Sequence, residues 1–324
     1  MPKIDIVIPT YNRSNYLKSA IDSVLKQTCQ EFDLYILDNC SNDNTREVVE
    51  SFSSDKIKYI VNESNLGMVG NWNRALETGN NDLLNIFHDD DMLEPDFVSK
   101  VLDFYDKHSD VIFLHTAVTI IDNENKKIKQ QVSNYSIIMS GLDFFILYLK
   151  KGVCVICPSV VIDRSKIPSN VYFDTSLPFT ADLNFWIRIS KFGMVGYINE
   201  RLLRYRRHEE STSASLYRNF EIKIQDRFHY KNFLELEILS RGVSKSYLSV
   251  SNSYIARMLL ADIWWLRLYG TSLKNTFRKL SLVVNKHISV IKSPQFWLTI
   301  LKIFIPLTLL HIVRTIKNRI KSIL

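Results

Sequence analysis

Leu84-Asn85-Ile86-Phe87-His88-Asp89-Asp90-Asp91-Met92-Leu93-Glu94-Pro95 is an apolar run that stops at three consecutive carboxylates and a turn. Leu83 to Phe87 reads as a buried strand, and a helical pattern begins near Pro95. The end of such a strand places Asp89, Asp90 and Asp91 together in a crevice. Adjacent carboxylates raise one another's proton affinity. A hard divalent cation relieves that repulsion. Carboxylate oxygens suit Mg²⁺ or Mn²⁺, ions that usually share their coordination shell with substrate phosphates. For the triplet taken alone, a solvated acidic turn at the start of a helix is the competing reading.

The flanking pattern weighs between the two. Upstream, Ile4 to Ile8 reads as a strand ending in Pro9-Thr10-Tyr11-Asn12-Arg13. Ser14 stands as the N-cap of a helix whose inner face is Leu17, Ala20, Ile21, Val24 and Leu25. Phe32 to Leu37 is a second strand, closed by the turn formers from Asp38 to Thr45. A helix to about Phe52 and a strand from Ile57 to Val61 come next. Asn65-Leu66-Gly67 then leads into a helix with Trp72, Arg74 and Leu76, stopped by Gly79. Downstream, Pro95 to His108 predicts a helix and Val111 to Ile121 a strand. This alternation specifies an α/β fold with a mostly parallel sheet flanked by helices. Ligands of such sheets sit outside the carboxyl ends of the strands. Every polar cluster so far lies at such an end. The glycine fingerprints for dinucleotides and for the phosphate loop are absent, so NAD and ATP-hydrolase readings lose their support.

Asp122 to Gln131 reads as a solvated, lysine-rich turn, Gly141 to Lys150 as a helix, and Val153 to Ile162 as a strand interrupted by Pro158. Thr180 can cap a helix that carries Asp182 in its first turn, where the helix dipole favours a carboxylate on structural grounds alone. Gly193 ends that helix. Tyr197 to Tyr205 is a final strand, with Arg206-Arg207-His208 directly after it. The cysteines Cys29, Cys40, Cys154 and Cys157 form no disulfide framework. Cys154 and Cys157 have CxxC spacing without a second pair, which reads as apolar packing before zinc or redox work. No secretory signal is visible at the start.

Residues 1–215 form the α/β part and 216–324 a helical extension with a basic, apolar tail. Charge is divided unevenly between them. Residues 271–324 carry ten Lys or Arg and no Asp or Glu, whereas the body is mildly acidic. Such a tail suits an anionic surface. Phe296 to Val313 is apolar but interrupted by Lys302 and Pro306, which fits an interfacial helix better than a clean span or a partner contact. The acidic body and the strand-end carboxylates repel phosphate backbones, so no nucleic-acid partner is expected.

Several motifs occur together in order: Pro9 to Arg13; Ser23 to Thr28; Asp38-Asn39 with Ser41, Asp43 and Thr45; Asn65 and Gly67 with Asn71 and Arg74; Asp89-Asp90-Asp91 with Pro95; Thr180-Ala181-Asp182; and Tyr205 to His208. With these the chain resembles a family 2 glycosyltransferase of GT-A (Rossmann-like) fold and bacterial surface-polysaccharide type, over about residues 3–215. The resemblance implies a nucleotide-sugar donor, a UDP-sugar favoured, lying across the strand ends. Pro9, Thr10, Tyr11, Arg13, Asn65 and Gly67 would line its pocket. Asp38 would hold the base, Arg74 would sit near the nucleotide, and Asp89 would reach the ribose. Asp90, with Asp91 and His208, would hold Mn²⁺ or Mg²⁺ on the diphosphate. The usual Asp-x-Asp is replaced here by His88-Asp89-Asp90-Asp91, which leaves the ligand assignment open by one residue. His208 also reads as an exposed histidine in a basic loop. Asp182 would be the general base of an inverting transfer of a hexosyl or N-acetylhexosaminyl group to a glycan or glycolipid hydroxyl. The implied location is cytoplasmic, peripheral on the inner face of the cell membrane, with a homo-oligomer left open. A nucleotidyltransferase and a catalytically silent nucleotide-sugar-binding module are the alternatives.

Overall fold

The computed structural model describes residues 3–132, 137–153, 155–208, 219–268, 271–286 and 294–303. The chain divides into two compact units, Met1–Arg218 and Asn219–Leu324.

In the first unit the apolar runs become strands because both of their faces are covered. β1 (Ile4–Thr10) buries Ile4, Ile6, Val7 and Ile8 completely. β2 (Phe32–Asp38), β3 (Ile57–Val61) and β4 (Leu83–Ile86) complete a parallel half-sheet in the order β3-β2-β1-β4. The helices α1 (Ser14–Leu25), α2 (Thr45–Glu50) and α3 (Gly67–Leu76) alternate with these strands. After β4 come the short β5 (Met92–Leu93), α4 (Phe97–Lys107) and the long β6 (Val111–Ile121). The chain continues through β7 (Lys127–Gln131), β8 (Ile138–Ser140), α5 (Gly141–Lys151), β9 (Val160–Asp163), α6 (Ala181–Ile189) and β10 (Met194–Arg206).

The second half of the sheet departs from the parallel expectation. Its order continues β9-β6-β10-β5, and β9 runs antiparallel to both β4 and β6. A tight turn at Cys157–Ser159 reorients the chain before β9. Asn85, buried within the apolar run of β4, donates to the carbonyls of Pro158 (3.1 Å) and Val160 (2.7 Å) and so holds that turn in place. The lysine-rich stretch after β6 is also not simply a turn. Lys127–Gln131 pairs antiparallel with β6 while its side chains remain exposed, a charged edge strand of the kind that resists further pairing. Ser14 does not cap α1. It is the first helical residue, and its N–H is satisfied by Asp43 Oδ2 at 3.0 Å from the loop after β2. Thr180 stands at the N-cap of α6 without a side-chain cap bond.

The Ser23 to Thr28 motif positions the segment that leaves the acidic triplet. Ser23 Oγ accepts the Leu93 N–H at 3.1 Å. The buried Gln27 donates to the Glu94 carbonyl (2.8 Å) and accepts the Val98 N–H (2.9 Å), capping α4 from outside. One end of α1 is thereby fastened to the exit of the acidic loop.

The second unit contains α7 (Phe220–Ser240), α8 (Tyr247–Leu268), α9 (Leu273–Lys286) and α10 (Pro294–Ile303). Its core includes Tyr230, Leu234, Ile238, Ile255, Leu259 and Ile263. Buried Lys223 and Arg227 pair with Asp262 at 2.5 and 3.3 Å, and burial brings the Lys223 ammonium down to about 8. Among the described residues no helix is long and apolar enough to cross a membrane. Residues 304–324, which hold most of the expected interfacial segment and its basic flank, lie outside the described residues, as does Cys154.

Replacing Gln27 with Leu leaves the buried Val98 N–H without its partner and takes one of two donors from the Glu94 carbonyl, which keeps the Phe97 N–H. An unsatisfied buried polar group costs about 1–3 kcal/mol. We expect Gln27→Leu to lose about that much unfolding free energy in urea; an unchanged midpoint would remove Gln27 from this role.

Candidate active site

Parallel pairing sets the ends of β1 and β2 side by side, with Thr10 opposite Asp38. The loops beyond them are pinned together. Asn12, in the left-handed region at φ 52°, donates its N–H to Ser41 Oγ (2.9 Å) and accepts the Asn42 N–H (2.8 Å). Asp38 Oδ1 accepts the Ser41 N–H at 2.9 Å, and Oδ2 accepts the Tyr59 hydroxyl at 2.5 Å. Burial and then the Asp38 carboxylate push the Tyr59 phenol well up, which keeps it a donor. Asn39 organises the next loop. It donates to Asn65 Oδ1 (2.9 Å) and accepts from the Leu66 N–H (2.9 Å) and from Asn62 (3.1 Å). Asn65 Oδ1 also accepts the Gly67 N–H (2.8 Å), and Gly67 adopts φ 73°, a conformation that excludes most side chains.

Asp89, Asp90 and Asp91 occupy the turn between β4 and β5, and all three are buried. Arg13, at the mouth of α1, bonds Asp89 Oδ1 (3.2 Å) and Asp90 Oδ2 (2.8 Å). His208 Nε2 lies 2.9 Å from the same Asp90 oxygen. Arg206 donates its backbone N–H to Asp91 Oδ1 (2.7 Å) and its Nε to the Asp90 carbonyl (2.8 Å). The environments of the three carboxyls differ accordingly. Burial works against Asp90, but the His208 hydrogen bond and Arg13 outweigh it and hold its pKa below the usual value. Burial raises Asp89 to about 6 in spite of Arg13. Burial and then the Asp90 charge raise Asp91 well above the carboxylate range.

The cluster therefore accommodates one more positive charge. Asp91 Oδ2 is buried and has no hydrogen-bond partner among the described residues. His88 Nδ1 lies 3.9 Å from it. His88, Asp90 and Asp91 each offer one donor atom within 4.8 Å of the others. The His88 side chain is 23% exposed, yet its ring is deep enough that burial lowers it to about 4 and leaves it neutral near pH 7. Carboxylate oxygens suit Mn²⁺ or Mg²⁺, and a neutral imidazole is a ligand that first-row divalent ions accept. His208 holds Asp90 in this arrangement through Nε2, and its buried Nδ1 has no hydrogen-bond partner among the described residues.

Asp182 is half-buried in the first turn of α6. Its charge and that of Asp91 both raise the buried Cys157 thiol, after burial itself. Both also act on the Tyr205 phenol, again after burial. The carboxylate expected to act as base and carboxylates expected to bind metal thus lie within electrostatic reach of the same two groups, Cys157 and Tyr205.

Thr10, Arg13, Asp38, Asn65, Gly67, Asp89, Asp90, Asp91 and His208 lie in the linked loops and cluster just described. Pro9 is the strand residue before Thr10, and Tyr11 is exposed at the strand end. Arg74 is exposed on α3 and outside this network. Sequence reasoning missed His88 as a donor, although it noted that position as the departure from Asp-x-Asp. It also passed over Arg206, whose role depends on the pairing of β10 with β5, and Tyr59, which only the β2–β3 register brings to Asp38.

Residues 5–165 match the family model for Glycosyl transferase family 2. The chain belongs to that family and is a glycosyltransferase. It is 27% identical over 225 residues to the Escherichia coli enzyme WfgD, a UDP-Glc:alpha-D-GlcNAc-diphosphoundecaprenol beta-1,3-glucosyltransferase, covering 67% of this chain and 82% of the relative. Its fold matches Staphylococcus aureus TarS residues 1–349 in complex with UDP-GlcNAc, with TM-score 0.62, 17% identity, and 89% and 81% of the two chains covered. It also matches the Pyrobaculum calidifontis mannosyltransferase PcManGT in complex with GDP-Man and Mn²⁺, with TM-score 0.53, 13% identity, and 93% and 84% covered. The architecture is thus that of the GT-A glycosyltransferases.

The buried Arg206 guanidinium donates to the backbone carbonyls of Asp90, Asp122 and Asn123. Arg206→Met removes those donors but keeps the backbone N–H bond to Asp91, and a buried acceptor left unpaired costs about 1–3 kcal/mol. Unfolding free energy in metal-free buffer should fall by about that amount, read by chemical denaturation; an unchanged value would show that the side chain does not hold the acidic turn.

Proposed function

We propose that this chain is an inverting, metal-dependent glycosyltransferase that moves a sugar from a nucleotide-sugar donor to a glycan hydroxyl on a lipid-linked acceptor. The observation that carries the reading is the grouping of His88, Asp90 and Asp91, with one further half-buried carboxylate, Asp182, acting on the same Cys157 and Tyr205 as Asp91 does. A UDP-sugar is favoured as donor because TarS is similar in fold and binds UDP-GlcNAc, and WfgD is named for UDP-Glc. The lipid-linked acceptor is supported by the diphosphoundecaprenol acceptor in the name of WfgD.

In this reading Asp38 and the Asn39–Asn65 loop receive the base, and Asp89 takes the ribose. Arg13 sits between the base pocket and the cluster, where it can follow the diphosphate. Asp90, Asp91 and His88 would hold the cation, with His208 steadying Asp90. A divalent ion held there offsets the charge that develops on the leaving diphosphate. Asp182 takes the proton from the acceptor hydroxyl as that oxygen attacks the anomeric carbon opposite the diphosphate. One base and one direct displacement invert the configuration, and such general-base help contributes about 10²–10⁴-fold.

The second unit supplies the membrane contact. On α10, Trp297, Leu298 and Leu301 are 60%, 52% and 67% exposed. They belong to a stretch, residues 271–324, that is basic and without acidic residues. Apolar side chains beside cations match an anionic lipid surface.

Two measurements test this. Asp182→Asn should bind donor and Mn²⁺ as wild type does and lose about 10²-fold or more of transfer, whereas Asp90→Asn should lose metal-dependent donor binding. Near-normal turnover of Asp182→Asn removes the base. Release of pyrophosphate instead of a nucleoside diphosphate indicates the nucleotidyltransferase, and donor binding without turnover indicates a silent module. For the surface, Trp297→Ser/Leu301→Ser should sediment less with vesicles containing anionic lipid; equal sedimentation would exclude this face.

A further inference from the structure

A histidine that binds a metal through one ring nitrogen normally donates its other N–H to a carboxylate, a carbonyl or a water, which fixes the ring plane. Among the described residues His88 has no such partner. Its Nε2 is buried and makes no hydrogen bond among the described residues, while Nδ1 is turned toward Asp91 Oδ2 at 3.9 Å. An aromatic face holds the ring instead. The indole of Trp72 stacks on the imidazole with centroids 5.7 Å apart and planes 12° from parallel.

The indole is itself held from behind. Trp72 is 8% exposed and lies against Phe173, centroids 5.4 Å apart. Phe173 is fixed through its backbone by the next residue of α3. Asn73 donates to the Phe173 carbonyl (3.0 Å) and accepts its N–H (2.7 Å), a two-bond clasp across 100 residues of sequence. On its far side Phe173 stacks on Phe185 of α6 with centroids 4.0 Å apart. Asp182 stands in the first turn of the same helix. The indole is therefore an immobile surface, and the imidazole can rotate about its Cβ–Cγ bond only by breaking the stack.

We propose that Trp72 is a positioning residue for the cation: its indole face sets the plane of the His88 ring and keeps Nδ1 directed at the Asp90–Asp91 carboxylates, taking the place of the missing hydrogen bond. The assignment rests on the reading of His88, Asp90 and Asp91 as the cation site. It differs from a packing role for Trp72, because its effect on metal must pass through His88.

That dependence makes it testable with metal alone, without donor or turnover. Mn²⁺ is titrated calorimetrically into the full chain, into Trp72→Leu, Trp72→Phe and His88→Gln, and into the double variant Trp72→Leu/His88→Gln. Loss of an orienting partner typically weakens metal binding about 10–100-fold. Trp72→Leu should bind Mn²⁺ about tenfold more weakly, and Trp72→Phe, which keeps a flat ring, should stay near wild type. Once His88 is Gln, Trp72→Leu should add no further loss, as a coupled pair requires. If Trp72→Leu does not fold, Phe173→Leu loosens the indole from behind and should show the same weakening, again only while His88 is present. Wild-type affinity in Trp72→Leu, or an equal loss with and without His88, overturns the positioning role and leaves the cation site standing. A wild-type chain that takes up no Mn²⁺ overturns both.

Discussion

Three carboxylates at the end of one buried strand have to be neutralised, and β4 alone cannot do it. The compensating groups come from both ends of the first unit. Arg13 arrives from the turn after β1, the parallel neighbour of β4. Arg206 and His208 arrive from the end of β10, because β5 leaves the acidic turn directly and pairs antiparallel with β10, Met92 against Arg204 and Leu93 against Leu203. That register carries the chain onward so that the Arg206 N–H meets Asp91. The bidentate pair between Arg204 and Glu94, at 2.7 and 2.9 Å, fastens the same corner. Burial makes each carboxylate costly without a cation, so the acidic turn and the last strand depend on one another.

The two halves of the sheet divide the work. The parallel half, β3-β2-β1-β4, ends in loops bonded to one another by Asn and Ser side chains rather than by glycine-rich backbone. This matches a nucleotide held by side chains and a cation. The other half brings Asp182 and the aromatic residues around it. Asn85 joins the halves, since a carboxamide inside the apolar run lets β9 pack antiparallel beside β4. Cys157 belongs to the same turn, packed as an apolar side chain near Asp91 and Asp182.

Much of this was legible in the sequence, for identifiable reasons. Strands buried on both faces read as continuous apolar runs, so β1, β2, β4 and β6 stand out. Strand ends carry turn formers and charges, so Thr10, Asp38 and the acidic triplet stand out as well. Direction is a different matter. Nothing in Val160–Asp163 says that it runs antiparallel, because that depends on a turn held by Asn85 seventy-odd residues earlier. Lys127–Gln131 looks solvated because its side chains are; only its backbone is engaged. In the site, residues within a motif were readable, whereas partners brought in by strand register were not. Tyr59 reaches Asp38 across β2 and β3, and Trp72 reaches His88 across a helix and a strand. Ser14 shows the same limit at short range, since its helix is capped by Asp43 from another loop.

The separation along the chain between Asp91 and Arg206, 115 residues, and between Asp90 and His208, 118 residues, has a consequence for biosynthesis. A nascent chain emerging from the ribosome exposes the acidic turn long before its compensating strand exists. Domains are made N-terminus first, and contacts this distant in sequence close late. Until β10 arrives, the acidic turn remains in water, where ionised carboxylates are stable without partners. A truncated product ending before residue 206 would keep the first four strands but hold a hydrated acidic loop in place of a site. A chain that stops short of residue 208 therefore lacks the groups that complete the acidic cluster.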